Sequence, residues 1–403
     1  MSRIVVILPS KTYRAGEFIR ASEELGVELI VASEGDAPID MGDRYIQIDC
    51  SDVSGAAQSI VSFGDTTPID GVVAADDAGV VIAATAGQKL RLPANDPEAA
   101  KATRDKALMR ERLGRGEVPQ PSWAALGLSD DASEPANSIG YPLVVKPLSL
   151  SAGQGVIRVD RPEDIVAAVA RVRRILHSAG SHDDTIILEA FMDGAEVAVE
   201  GLVAAGELVP LAIFDKPDED EGEGFQETIL VTPSRHPVSV QDEILRVSAQ
   251  AVRALGLSQG PVHIELMVMD ERVTLIEVAA RSIGGLCSRS LSFGLMDTSL
   301  ESLILRNAIA RDKPELRRSS RASGVLMIPI PESGELVGFD GLDEVRSFDG
   351  VSGLEVTARA GDAVAPPPEG ARYIGFVFAE GKTPQDIEDV LRTAMKTIRV
   401  IVA

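Results

Sequence analysis

The first part of the chain alternates between two hydrophobic periods. Short apolar runs, typical of buried strands, occur at 4–8, 27–33, 45–49 and 71–76. The segments between them carry apolar residues at helical spacing. This strand–helix–strand rhythm predicts a parallel sheet covered by helices over residues 1–95. Asp76 and Asp77 follow the last run, where such side chains either contact a ligand at the sheet edge or cap a turn.

Residues 96–184 combine a helical segment with a pair of strands. The pattern of 92–114 predicts one helix, which carries Lys106. Residues 141–160 predict two strands joined by a loop of small residues, 149–155. Lys146 interrupts the first apolar strand, where a charge destabilises the fold unless it is paired. The loop lacks the ending of a P-loop; it is either a plain turn or a backbone cradle for phosphate oxygens.

The second half of the chain is richer in strands. Apolar runs predict successive strands within 185–216, another at 225–233, and short strands through the last 90 residues before a final helix from about Pro384. Two acids flank the turn between the first two of these strands: Glu189 ends one apolar run and Glu196 begins the next.

Residues 261–281 predict a β-hairpin whose apolar runs flank the polar loop 270–272. A three-residue loop places Glu265 opposite Glu277 on one face, with Cβ atoms roughly 5 Å apart. Two carboxylates in this position are either solvated on an outer face or share a hard cation such as Mg²⁺. Arg281 adds a fixed positive charge for a phosphoryl group or carboxylate nearby.

Composition narrows the function classes. A chain of 403 residues with 45% hydrophobic positions can build two to four subdomains. The net charge of −23 argues against a nucleic-acid surface, so a phosphate site must concentrate its cations locally. Cys50 and Cys287 show no metal spacing, and no signal peptide or membrane span is visible. A cytoplasmic protein without membrane contact is expected.

In their order and spacing, these candidate residues resemble the ATP-grasp superfamily, and the resemblance covers nearly the whole chain. It implies an α/β ATP-grasp fold with an N-terminal parallel βαβ domain and a C-terminal α+β lobe. The implied divisions are a pre-ATP-grasp domain (1–95), an A subdomain with linker (96–184), a B subdomain with the metal hairpin (185–312) and the C-terminal lobe (313–403).

The resemblance also implies ligands for individual residues. The ATP phosphates would be bound by Lys106, Lys146, Ser151, Gly153, Gln154 and Gly155. Adenine and ribose would be bound by Glu189, Phe191 and Glu196. The metal ion, Mg²⁺ or in its place Mn²⁺, would be bound by Glu265 and Glu277. The catalytic residues would be Lys146 and Arg281, with Arg281 facing the reacting phosphoryl group.

Within the superfamily, VEGLVAAGELVPLAIFDK, GFQETILVTPS and LIEVAARSIGG look most like L-amino acid ligases, which form dipeptides through an acyl phosphate. The implied partners are a small carboxylate, such as an amino acid, and an amine. Their implied site comprises Glu227, Arg281, Gly284 and Gly285. Leu230 stands where these ligases often carry His, and Gly285 where they often carry a bulky residue. We therefore expect open volume at Gly285 and the neighbouring Gly284, and a larger acid substrate.

Other functions remain open at this level. A biotin carboxylase-like or purine-pathway carboxylase would share the nucleotide site and differ in the acceptor. A non-catalytic nucleotide-binding regulator would have no need of the paired acids. An NAD-linked oxidoreductase is disfavoured, because no GxGxxG follows the first strand. A homodimer stands beside a monomer as the expected assembly.

Overall fold

The computed structural model describes residues 1–10, 12–35, 42–181, 183–217, 225, 227–293, 298–309 and 321–403. The predicted division between 312 and 313 lies outside these residues. Among the described helices, none combines the length and the apolar composition that a membrane span requires.

The N-terminal region is the predicted parallel α/β unit. Its elements are β1 (Arg3–Ile7), α1 (Ala15–Leu25), β2 (Glu28–Ser33), β3 (Tyr45–Gln47), α2 (Val53–Thr66), β4 (Gly71–Ala74) and α3 (Val80–Leu90). The strands run parallel in the order β3-β2-β1-β4. Helices on both sides bury the continuous apolar runs of β1 and β2, as all-parallel sheets require.

The next region forms a smaller antiparallel sheet behind two short helices. Its elements are α4 (Pro97–Ala102), α5 (Lys106–Arg115), β5 (Trp123–Gly127), α6 (Ser133–Ile139), β6 (Leu143–Pro147), β7 (Ile157–Val159), α7 (Ile165–Ser178) and β8 (Thr185–Ala190). The strand order is β5-β8-β6-β7. The single helix predicted over 92–114 is wrong: Asp105 accepts a hydrogen bond from the Leu108 N–H at 3.0 Å and starts a second helix.

An eight-stranded sheet and a small three-stranded sheet occupy the rest of the described chain. This region contains β9 (Ala195–Ala204), β10 (Glu207–Lys216), β11 (Ile229–Thr232), α8 (Val238–Leu255), β12 (Gln259–Met269), β13 (Arg272–Ala279), α9 (Leu300–Ile309), β14 (Ala322–Met327), β15 (Gly334–Asp340), α10 (Leu342–Arg346), β16 (Val351–Val356), β17 (Ala363–Val364), β18 (Gly375–Gly381), α11 (Pro384–Thr397) and β19 (Arg399–Val402). The order is β13-β12-β9-β10-β11-β14-β18-β16, and β17-β15-β19 forms a separate small sheet. Because β11 pairs with β14, the C-terminal strands extend the sheet that carries the hairpin.

The hairpin brings its two acids together by a different route from the predicted one. The turn has two residues, Asp270 and Glu271, both with positive φ, so Met269 pairs with Arg272. A β-bulge next to Glu265 then shifts the register by one residue and places Glu265 opposite Glu277. The predicted loop length is wrong, and the predicted pairing is confirmed because the bulge compensates for it.

A buried ion pair fastens the N-terminal region to the rest of the chain. The guanidinium of Arg14 lies 2.5 Å from Glu301 on α9, and their side chains are 3% and 2% exposed. Arg14 also donates to the carbonyl of Ala75 and to the hydroxyl of Ser282. One side chain thus joins the start of α1, the end of β4 and the segment after β13.

We expect Glu301→Leu to lower the free energy of unfolding by about 3–5 kcal/mol, because it leaves the Arg14 charge buried and unpaired. The double variant Arg14→Met/Glu301→Leu should recover part of this loss. Urea denaturation followed by circular dichroism measures both. Asp340→Ala, which breaks the exposed pair with Arg399, is the control and should cost less than about 1 kcal/mol. Equal losses in the two single variants would contradict the expectation.

Candidate active site

A cavity of about 570 Å³ lies between the end of β4, the antiparallel sheet β5-β8-β6-β7 and the eight-stranded sheet. Nearly all of the candidate residues line it. They are Lys106, Lys146, Ser151, Gly153, Gln154, Glu189, Phe191, Glu196, Glu227, Glu265, Glu277, Arg281, Gly284 and Gly285. Residues chosen from segments far apart in sequence therefore meet in one place.

Gly155 is the one candidate outside this lining. Its φ is +73°, and a Cβ atom there would lie 2.9 Å from the Pro147 ring. Its N–H donates to the carbonyl of Pro368 at 2.8 Å. In this structure Gly155 serves the backbone conformation and close packing of the loop rather than the cavity wall.

Glu189 holds the cations at one wall of the cavity. One of its oxygens lies 2.7 Å from Nζ of Lys146, and the other lies 2.8 Å from Nε of Arg110. Burial alone would raise the pKa of Glu189, but the charges of Arg110 and Lys146 lower it to about 2. Both oxygens are engaged, and Glu189 is the counter-ion that keeps Lys146 in an apolar strand; its contact with adenine stays a prediction.

Arg110 was not among the sequence candidates, although a signal for it exists. Lys106, Met109, Arg110 and Leu113 are the buried residues of α5, and they lie at the i, i+3, i+4 and i+7 positions of one face. Two cations on a buried helix face require carboxylates opposite them. The sequence pattern thus indicates that acidic partners are needed, and the structure identifies them as Glu189 and Glu277.

The loop 149–155 is held over the cavity by cationic side chains. Arg104 donates to the carbonyl of Ser149, and Lys106 donates to the carbonyl of Leu150, each at 3.0 Å. Gly153 has a φ of +73°, and a Cβ atom there would lie 2.6 Å from the Phe225 carbonyl oxygen. The loop therefore needs glycine at 153 to lie this close to the backbone of Phe225.

A lysine lies between three of the predicted acids. Nζ of Lys216 is 2.6 Å from Glu196 and 2.8 Å from Glu265, and it also pairs with Glu227. Burial opposes ionisation of Glu265, yet the charge of Lys216 holds its pKa well below the usual range. Burial raises the pKa of Glu196 to about 7, with Glu265 and Glu227 adding to the effect. Sequence reasoning missed Lys216, which is the last residue of β10.

The acids of this wall offer oxygen donors for a cation. Single oxygens of Glu196, Glu227 and Glu265 lie within 4.8 Å of one another. Glu277 stands opposite Glu265 in the hairpin and is 3.4 Å from Nζ of Lys106. Carboxylate oxygens are the ligands that Mg²⁺ prefers, so these side chains fit a hard divalent ion. The prediction paired Glu265 with Glu277; Glu265 also has two further carboxylates in reach.

Arg281 is anchored by the N-terminal region. Its guanidinium lies 3.2 Å from one oxygen of Asp77, and Arg104 lies 3.2 Å from the other. Burial opposes the charge of Asp77, but the two arginines lower its pKa to about 2. Asp76 instead caps the following turn through the Ala78 N–H. Both acids line the cavity, so Asp77 pairs there with the two arginines while Asp76 lines the cavity and also caps the turn.

The two glycines after Arg281 differ in what surrounds them. Gly285 has a φ of +58°, and a Cβ atom there would lie 2.6 Å from the buried ring of Phe376. Gly284 has no atom within 4 Å of its Cβ position and no left-handed φ. The expectation of open volume at Gly285 is therefore wrong, because the backbone conformation and Phe376 account for that glycine. The open volume lies at Gly284.

Aromatic and cationic side chains form the wall around Phe191. The guanidinium of Arg158 lies 4.1 Å from the centre of the Phe191 ring. The ring of Phe225 lies 6.5 Å from that of Phe191, centre to centre. Flat faces of this kind suit a planar ligand group.

Family profiles match the chain in three segments. The ATP-grasp N-terminal domain matches residues 19–94, the ATP-grasp domain matches 139–290, and the L-amino acid ligase C-terminal domain 2 matches 326–403.

Curated relatives agree with this result. The alanine–anticapsin ligase of Bacillus amyloliquefaciens is 29% identical over 245 residues, which cover 56% of this chain and 51% of the relative. The chain thus spans about half the length of that ligase. An uncharacterized protein of Sinorhizobium fredii is 21% identical over 402 residues, covering 99% of this chain and 83% of the relative.

Solved structures extend the likeness to the whole fold. The L-amino acid ligase from Bacillus licheniformis superposes with a TM-score of 0.85 at 25% identity, covering 100% of this chain and 99% of that chain. The carboxyaminoimidazole ribonucleotide synthase of Aspergillus clavatus, solved with ATP, gives a TM-score of 0.75 at 17% identity, with 99% of each chain covered. At that identity the second match supports the fold alone. Profiles, relatives and fold together show that the chain belongs to the ATP-grasp superfamily and is related to the L-amino acid ligases.

Proposed function

We propose that the protein is an ATP-dependent carboxylate–amine ligase that forms an amide bond, in the form of a dipeptide, through an acyl phosphate. One observation carries the proposal. A single cavity collects Lys106, Lys146 and Arg281 beside the acids Glu265 and Glu277. An acidic protein that concentrates cations and carboxylates in this way has the groups needed to bind ATP and a divalent ion.

The nucleotide would lie along the wall from Phe191 to the loop. Phe191, with Arg158 against its ring, would offer a stacking face for adenine, and Glu196, which lines the same cavity, would accept hydrogen bonds from ribose hydroxyls. The phosphates would be met by Lys106, Lys146 and the backbone of Ser151, Gly153 and Gln154. Small loop residues allow close approach to phosphate oxygens.

Glu265 and Glu277 would hold Mg²⁺, which supplies neutralisation of charge on the phosphate oxygens when bound. Carboxylate oxygens suit Mg²⁺ and Mn²⁺ alike. Lys106 and Lys216 neighbour these acids and keep the site close to charge balance.

The proposed chemistry has two displacements. A carboxylate oxygen attacks the γ-phosphorus of ATP, the bond to the bridging oxygen breaks, and ADP leaves. The amine nitrogen then attacks the acyl carbon, phosphate leaves, and the nitrogen loses a proton. Arg281, fixed by Asp77, offers its guanidinium to the charge on the transferred group. Positioning and charge neutralisation are the main tasks of the protein in such a reaction.

The substrate end of the cavity has an acidic and an apolar part. Glu227 lies beside Lys216 and would accept hydrogen bonds from the amino group of a substrate. Leu230, Met327 and Tyr373 line the neighbouring wall. With open space at Gly284, this wall fits an acid with a large apolar side chain.

The proposal is tested by product analysis. With ATP, Mg²⁺ and pairs of amino acids, we expect ADP and phosphate in equal amounts together with a dipeptide identified by mass spectrometry. Chelation of the metal should stop the reaction. Release of AMP and pyrophosphate would overturn the acyl-phosphate route.

Glu277→Gln should lower kcat at least about tenfold while the melting temperature stays near that of the wild type. The change removes one charge beside the phosphates and keeps the side-chain shape. Glu271→Gln, in the exposed turn of the same hairpin, is the matched control and should leave turnover unchanged. Wild-type activity of Glu277→Gln would show that the hairpin acids take no part in the reaction.

Gly284→Leu should shift the kcat/KM preference from large acids toward small ones, because the new side chain enters open cavity space. Gly285→Ala should instead lower stability by roughly 1–2 kcal/mol, because Ala is strained at positive φ. Substrate panels and thermal melts on both variants separate the two effects. An unchanged ratio of large to small acids in Gly284→Leu would show that this position does not limit the pocket.

A further inference from the structure

A buried histidine and glutamate lie directly behind the acid wall. His263 on β12 and Glu200 on β9 are register partners in the eight-stranded sheet. They are 7% and 0% exposed. His263 lines the cavity, as does Glu265 two residues later on the same face of the strand. Nothing in the reaction proposed above uses either His263 or Glu200.

Both ring nitrogens of His263 face carboxylates. Nδ1 lies 3.1 Å from Oε2 of Glu200, and Nε2 lies 3.6 Å from Oε1 of Glu265. The imidazole thus joins a fully buried acid to the acid that also pairs with Lys216. This arrangement restricts the rotation of Glu265, because the same oxygen faces Nζ of Lys216 and Nε2 of His263.

Glu200 has a second contact that leads to Arg281. Its two oxygens accept the backbone N–H of Ile283 at 3.2 and 3.1 Å. Ile283 follows Arg281 by two residues. One buried carboxylate therefore holds both the imidazole behind Glu265 and the main chain that carries the arginine.

We propose that Glu200 and His263 are positioning residues that fix the position of Glu265 relative to the segment that carries Arg281. The inference rests on the proposed function, in which Glu265 binds the divalent ion and Arg281 faces the phosphoryl group. A buried polar network holds one geometry when each of its members has its partners. Here it connects the two groups that must meet on one phosphate.

The two contacts of the imidazole can be separated by substitution. Asn places its amide near the position of Nδ1, so His263→Asn keeps a partner for Glu200 and loses the contact with Glu265. Gln reaches the position of Nε2, so His263→Gln keeps a donor for Glu265. His263→Leu removes both contacts and retains an apolar volume.

Binding of Mn²⁺ with a non-hydrolysable ATP analogue, measured by calorimetry without acid or amine, is the first readout. We expect His263→Leu and His263→Asn to weaken the metal-dependent affinity about 10- to 100-fold, and His263→Gln to recover most of it. Asn307→Ala is the matched control. Asn307 is buried and bonds the same two strands at Val203 and Gly260 but does not line the cavity, so its loss should affect stability alone.

The second readout is kcat at saturating metal and nucleotide, which tests the contact between Glu200 and Ile283 apart from metal binding. Glu200→Met removes both oxygens with little change in side-chain volume, so the Ile283 N–H loses its side-chain acceptor. We expect kcat to fall at saturating metal and nucleotide in this variant, because the Arg281 segment loses its fixed acceptor. His263→Gln should keep kcat within a few-fold of the wild type under the same conditions.

The outcomes distinguish this inference from the proposal beneath it. Equal metal-dependent affinity in His263→Gln, His263→Asn and wild type would overturn the inference and leave the proposed function intact. Losses in all variants that follow only their melting temperatures, as in Asn307→Ala, would also overturn it. A wild type that binds the nucleotide analogue without any metal dependence would overturn the proposed function, and the inference with it.

Discussion

Compensation of buried charge is the constraint on which the rest of this structure depends. The cavity contains several carboxylates in partly or fully buried positions, and an unpaired charge there would destabilise the fold by several kcal/mol. Each pairing recruits a cation from a different element: Arg110 from α5 to Glu189 on β8, Lys216 from β10 to Glu265 on β12, and Arg281 to Asp77 after β4. The pair of Arg281 with Asp77 joins the eight-stranded sheet to the N-terminal region, and the pair of Lys106 with Glu277 joins it to α5.

The sequence predicts the fold class and most of the cavity because the signals are local. Strand period and helix period distinguish the parallel N-terminal unit from the later antiparallel strands. Lysines and glutamates that interrupt apolar strands, such as Lys146 and Glu265, stand out in the sequence because a buried charge destabilises the fold unless it is paired. The hairpin shows the limit of such counting, since the two-residue turn and the bulge each change the register by one position and cancel.

Local sequence signals do not identify the partner of a buried charge or the backbone conformation of a residue. Arg110, Lys216 and His263 each sit in ordinary helix or strand patterns, and only tertiary contacts show which acid each one faces. Gly285 illustrates the second limit. Its role follows from a positive φ and from the ring of Phe376, a residue about ninety positions away. Similarly, no local pattern indicates that β14 continues the sheet of β11.

The sheet topology has a mechanical consequence. The hairpin strands and the C-terminal strands share one eight-stranded sheet, whereas the loop 149–155 connects β6 to β7 in the separate antiparallel sheet β5-β8-β6-β7. Across that divide Gly155 and Gln154 donate to the carbonyls of Pro368 and Glu369, and Arg171 pairs with the Glu369 side chain. A rotation that opens the cavity at this edge must break these contacts as a set. The segment at 368–369 therefore anchors the loop 149–155 from outside the cavity lining, and the strength of these contacts sets how easily the loop moves.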